Sequence, residues 1–78
     1  MSKKVTYSPW QLRRLRAMQD LSLAELAERS GLTAPGIRSL ENRKIPTARK
    51  ETIEKLARAL DVPVEVLCQP HPADPFRL

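Results

Sequence analysis

Apolar residues recur along this chain at helical spacing, in short groups divided by capping and breaking residues. Ser8 is placed to cap a first helix, with Pro9 at its first position and Gln11 completing a capping box. Leu12 and Leu15 share one face of that helix, which should fade near Asp20. Ser22 and Glu25 form a second capping box, followed by a narrow inward stripe of Leu26, Ala27 and Ser30. Gly31 stands where a helix end needs a left-handed residue, and Thr33 is placed to cap a third helix two positions later. Pro35 and Gly36 fall in its first turn, where they are tolerated, and Ile37 and Leu40 face inward. Residues 43–50, RKIPTARK, read as a basic loop interrupted by Pro46. Ile53, Leu56, Ala57 and Leu60 give the fourth helix the cleanest stripe in the chain. Val62 and Pro63 open a short fifth helix carrying Val66 and Leu67.

The expected architecture is therefore all-α, a compact five-helix domain over residues 8–68. Residues 1–7 are expected to be a flexible basic arm, and residues 69–78, with Pro70, Pro72 and Pro75, an irregular Pro-rich tail. With 78 residues there is room for one small core. The three aromatic residues, Tyr7, Trp10 and Phe76, lie near the ends, so the centre of that core falls to Leu, Ile, Val and Ala.

Charge adds a direction. Residues 1–50 hold 11 Lys/Arg against 4 Asp/Glu, whereas residues 51–78 hold 3 against 5. A basic first part points to a polyanionic partner. The basic residues do not lie on one strongly amphipathic helix, so no membrane role is expected. One cysteine, Cys68, excludes an intramolecular disulfide and fits a reducing compartment. No run approaches the roughly 20 apolar residues of a membrane span, and no signal peptide follows Lys3 and Lys4, so a cytoplasmic location is expected. Cys68 and His71 are two side chains beside prolines, not a metal site. No metal, cofactor or catalytic set is expected: the only histidine lies in the tail and two glycines make no phosphate loop.

The motifs AELAERSGL, IRSLEN and TIEKLARALDV stand in one order and spacing over residues 12 to 67. In them the chain resembles the phage repressor and Cro, or XRE-type, helix-turn-helix family. The resemblance implies a lambda-repressor-like DNA-binding domain, with the helix-turn-helix motif at residues 22–42. It makes the third helix the recognition helix, with Thr33, Ala34, Pro35, Gly36 and Ser39 facing bases or thymine methyls. Arg38 is the one long side chain that would reach into the groove. Ser22, at a helix start, and Arg43 and Lys44, after the third helix, would contact phosphates. Arg49 and Lys50 extend that basic stretch, and Lys3 and Lys4 resemble an arm that wraps the duplex. Arg16 and Glu41 match a structural ion pair between the first and third helices. The base-facing set lacks side chains that make bidentate contacts, so DNA shape is expected to share in recognition.

The function expected on these grounds is sequence-specific binding of double-stranded DNA by a non-enzymatic transcriptional regulator, a repressor acting as a homodimer. Val64, Val66, Leu67 and Phe76 of the fifth helix and tail are the candidate dimer contact. The alternative is an antitoxin or adaptor module whose tail docks on a protein partner.

Overall fold

The computed structural model describes residues 3–68. The chain runs β1 (Lys4–Thr6), α1 (Pro9–Met18), α2 (Leu23–Ser30), α3 (Ala34–Glu41), β2 (Thr47–Arg49), α4 (Lys50–Ala59) and α5 (Val64–Cys68). Each helix contributes to one shared core. Leu12, Leu26, Ile37, Ile53, Leu56, Leu60 and Leu67 are its largest fully buried side chains. Each such side chain taken from water contributes about 1.5–3 kcal/mol. The expected pattern of five helices therefore holds, and the tail at 69–78, with Phe76, lies outside the described residues.

Capping residues set the helix bounds. Ser22 Oγ accepts from Glu25 N–H, and Glu25 Oε1 accepts in return from Ser22 N–H, both at 3.0 Å. Thr33 Oγ1 accepts from Gly36 N–H at 3.1 Å. At α1 the expected reciprocal box is only half made. Ser8 Oγ accepts from Gln11 N–H at 3.1 Å, but Ser8 N–H donates instead to Leu67 O at 2.7 Å. The Gln11 carboxamide loses its target, and its buried Oε1 has no hydrogen-bond partner. Ser8 thus combines a local cap on α1 with a long-range tie to α5.

Among the described residues, three helices end on left-handed residues: Asp20 at φ 56°, Gly31 at φ 78° and Asp61 at φ 59°. After Asp20, Leu21 N–H bonds back to Arg16 O; after Asp61, Val62 N–H bonds back to Ala57 O. Both are six-residue closures with an apolar residue turned onto the core, the geometry of a Schellman end.

Two expectations fail in the first and fifth elements. Lys4–Thr6, placed in a flexible arm, is a strand that pairs antiparallel with Thr47–Arg49, placed in a loop; Lys4 lies opposite Arg49, Val5 opposite Ala48 and Thr6 opposite Thr47. The ladder is extended by Tyr7 N–H to Pro46 O at 2.9 Å and Lys50 N–H to Lys3 O at 2.7 Å. Tyr7 anchors it, buried in the core with its hydroxyl donating to Leu40 O at 2.6 Å. Burial and a chain of backbone bonds outweigh the freedom a polar arm would keep. Leu67, expected at a dimer contact, is spent inside the core.

Candidate nucleic-acid interface

The α2–turn–α3 unit is rigid for local reasons. The turn passes through left-handed Gly31, whose position has open space around a would-be Cβ, so its requirement is backbone geometry alone. Ala27 and Leu26 bury one face of α2, while Ile37, Leu40 and Glu41 bury one face of α3. Helical spacing then turns Pro35 and Ser39 to the opposite face, and both are exposed. Asn42, the exposed C-cap, continues this crest; its Nδ2 donates to Arg38 O at 2.9 Å. The sequence reading missed it, although its spacing of three from Ser39 was the available signal.

Arg38, exposed, flanks the crest on the α2 side, where it borders a small hollow with Leu23, Ala34 and Pro35. Ala34 is half-buried against the core, so less of its methyl is presented than expected. Thr33 and Gly36 lie on the other side, toward the ribbon. A Cβ at Gly36 would approach Thr33 Oγ1 to 2.9 Å, so glycine there protects the α3 cap.

Behind the crest, Arg16 braces α3. Its Nε donates to Glu41 Oε2 at 2.7 Å and its Nη2 to Glu41 Oε1 at 3.1 Å. Nη1 donates to Leu21 O at 3.0 Å, so one guanidinium ties α1, the α1–α2 turn and α3 together. The side-chain hydrogen bond to Glu41 holds Arg16 above even the usual guanidinium range. The expected pairing of Arg16 and Glu41 is present in this geometry, and it contacts the back of α3.

The expected phosphate-binding residues divide into two places. Ser22 is at the start of α2, but its N–H is already taken by Glu25, whose carboxylate is held below its ordinary range first by the Ser22 backbone bond and then by the Ser22 side chain. An incoming phosphate there meets a resident anion. The other cations gather around the ribbon. Arg43 Nη1 donates to Thr47 O at 2.9 Å, which fixes the guanidinium beside β2. Arg49 is the N-cap residue of α4 and Lys50 its first residue, so two cations coincide with the positive end of that helix. Lys3 and Lys4 join them through the ribbon rather than as a free arm. Lys44 is exposed beside them, as is Ile45. Burial pushes the Tyr7 phenol up, and the Arg43 charge draws it partly back.

Residues 12–67 match the family model described as helix-turn-helix. The chain belongs to this helix-turn-helix family. Over 57 residues it is 46% identical to the HTH-type transcriptional repressor RghR of Bacillus subtilis, covering 73% of this chain and 42% of RghR. The chain thus spans less than half the length of the curated relatives it matches. Among solved structures, this helix-turn-helix domain resembles the N-terminal DNA-binding domain of SinR from Bacillus subtilis, with a TM-score of 0.74 and 26% identity over 82% of this chain and 93% of that one. It also resembles the restriction-modification controller protein C.AhdI from Aeromonas hydrophila, with a TM-score of 0.67 and 33% identity over 74% and 86% of the two chains. The helix-turn-helix unit matched by sequence includes the whole of α2 and α3, and the ribbon strand β1 lies before its first residue. Among the described residues no helix is long and apolar enough to cross a membrane.

Proposed function

We propose that this chain is a sequence-specific regulator of transcription, a repressor, that inserts α3 into the major groove of double-stranded DNA. The observation that carries the reading is the exposed crest of Pro35, Ser39 and Asn42, set between Arg38 and Arg43 and braced from behind by Arg16 and Glu41. A helix presented this way enters the groove with its short side chains against base edges, while flanking cations meet the two phosphate walls. Pro35 offers apolar contact to thymine methyls, Ser39 a single hydrogen bond, and Asn42 an amide that pairs with adenine. Arg38, Arg43, Lys44, Arg49, Lys50, Lys3 and Lys4 supply charge, so affinity falls steeply with salt. The names of RghR as a repressor and of the SinR domain as DNA-binding are consistent with this assignment.

Two copies would double the footprint and read half-sites about one helical turn apart. The contact rests on α5, where Val64 and Val66 remain half-exposed while Leu67 is committed to the core. The decisive experiment is selection from a randomised duplex library at low and moderate salt. A two-fold-symmetric enriched motif is expected. Salt-sensitive binding without enrichment would leave phosphate contact alone, and no binding at low salt would refute the proposal and favour an adaptor for a protein partner.

A further inference from the structure

A hollow of about 300 Å³ opens on the α2 side of the crest, where Leu23, Ala34, Pro35 and Arg38 meet. Leu23 and Ala34 are half-buried and make its floor, while Pro35 and Arg38 are exposed and stand at its rim. Leu23 is the first residue of α2, directly after the Ser22 cap, and only part of its side chain is spent on the core. A helix start is ordinarily where an anion is met. Here the Ser22 N–H is taken by Glu25, and the next side chain is a leucine with apolar surface left over. The hollow therefore suits an apolar group rather than a phosphate. Arg38 does not alter this, because a long arginine borders apolar surface with its methylene stem and leaves its charged head for a phosphate. Pro35 belongs to both the hollow and the crest, so a duplex seated on α3 also lies over the hollow. The base edges of the major groove offer one apolar substituent, the C5-methyl group of thymine. Cytosine carries the same group only when it is methylated at C5.

We propose that this hollow reads a pyrimidine C5-methyl group, so that the chain selects thymine at one position of its half-site and there prefers 5-methylcytosine to cytosine. The methyl group lies against Leu23 and Pro35, over Ala34. The proposal rests on the DNA-binding reading above and deepens it. It assigns specificity to Leu23, a residue of α2 outside the recognition helix, and it makes affinity for a cytosine-containing site respond to methylation of that base. The crest itself offers a single hydrogen bond from Ser39 and the Asn42 amide, so one methyl group carries a sizeable share of the discrimination.

The test uses the duplex selected from the randomised library, with Kd read by fluorescence anisotropy on the full chain at about 0.15 M salt. Selection should fix thymine at one position of the half-site. Deoxyuridine at that position removes the methyl group and nothing else, and Kd should rise about three- to fivefold, the contribution of one buried methyl group. With a cytosine–guanine pair at the same position, C5 methylation of the cytosine should lower Kd by a similar factor. The first pair of duplexes reports thymine and the second reports the modified base. In Leu23→Gln both ratios should fall to about one, whereas Arg13→Gln, exposed on α1, should leave them unchanged. Each ratio compares two duplexes on one protein, so a variant that is partly unfolded still reports it. Equal affinity for thymine and deoxyuridine at every position, or a ratio that survives Leu23→Gln, would overturn the proposal. A loss with deoxyuridine and no gain from 5-methylcytosine would overturn the response to methylation. All of these outcomes leave DNA binding standing, whereas failure of any duplex to bind at low salt would refute both readings.

Discussion

Replacing Arg16 by methionine isolates what the brace behind α3 contributes. The substitution keeps most of the side-chain volume and removes the three hydrogen bonds that the guanidinium makes. Glu41 is only 5% exposed, and the guanidinium supplies hydrogen bonds to both of its oxygens, at 2.7 and 3.1 Å. Removing one partner of a buried pair costs about 3–5 kcal/mol, because the remaining charge is stranded. Arg16 itself is partly solvated, so the lower figure, about 3 kcal/mol, is the expected loss. A domain of this size holds about 4–10 kcal/mol in all, so the variant should sit near the edge of folding, with Tm lower by about 10–20 °C. The double variant Arg16→Met/Glu41→Leu removes both charges and should recover at least about 2 kcal/mol. Urea denaturation of the wild type, both single variants and the double variant completes the cycle. A loss below about 0.5 kcal/mol for Arg16→Met, or a double variant no better than the single, would refute the reasoning. In the double variant DNA affinity should stay below that of the wild type, because Leu21 O and α3 lose their common tether even when stability returns.

Tyr7→Phe removes the buried bond to Leu40 O and should cost about 1–3 kcal/mol by urea denaturation, with the carbonyl left unsatisfied. The Tyr7 phenol is raised in the folded state above 10.0, so its stabilising preference holds below pH 10 and is lost as pH rises further; an alkaline melt should show this limb in the wild type and not in the Phe variant. Ser22→Ala breaks the capping box and should cost about 1 kcal/mol. Glu25 is held below its ordinary value by the same box, so the difference between the two proteins should be full at neutral pH and shrink as pH falls through the acid range, read by melts at several pH values. Asp61→Gly relieves a side chain held at φ 59° and should raise Tm by a few degrees, about 0.5–1 kcal/mol; an unchanged or lower Tm would count against a strained helix end there.

What was legible in the sequence follows the range of each signal. Caps act over three residues, so Ser22, Thr33 and the left-handed Gly31 could be read directly, and the bounds of α2 and α3 came with them. The stripes in α1, α3 and α4 repeat over two turns, which was enough to name Leu12, Ile37, Ile53 and Leu56 as interior. The ribbon had no such repeat. Each strand is three residues long, and Val5 and Ala48 are the only inward positions, too few to show a period of two. Its charged residues, Lys4 and Arg49, resemble those of a solvated segment until the partner strand is brought beside them. Tyr7 looked terminal for the same reason, since what buries it is Leu40, 33 positions away. The Ser8 box failed through a competing acceptor, Leu67 O, that no local window contains.

The same distinction bears on how α3 is presented. The motif that is legible locally makes two helices and a turn, but their angle to the rest of the domain is set from outside the motif. Arg16 supplies one constraint through Glu41 and Leu21 O, and Tyr7 supplies another through Leu40 O, at the opposite end of the chain from α5. Leu40 and Glu41 are adjacent on α3, so both long-range constraints act on its last turn, while the amino-terminal turn, with Pro35, is held by the local Thr33 cap. Tying the buried face of its last turn to distant elements sets the position of the helix, while Pro35, Ser39 and Asn42 on its exposed face keep the surface to meet a groove. The ribbon completes the arrangement: because Tyr7 holds β1 in place, Lys4 is delivered to the same recess as Arg43 and Arg49 rather than left on a mobile arm. Loss of the Tyr7 hydroxyl should therefore loosen the charge cluster as well as the core, linking a buried hydrogen bond to the salt dependence of whatever anion that cluster holds.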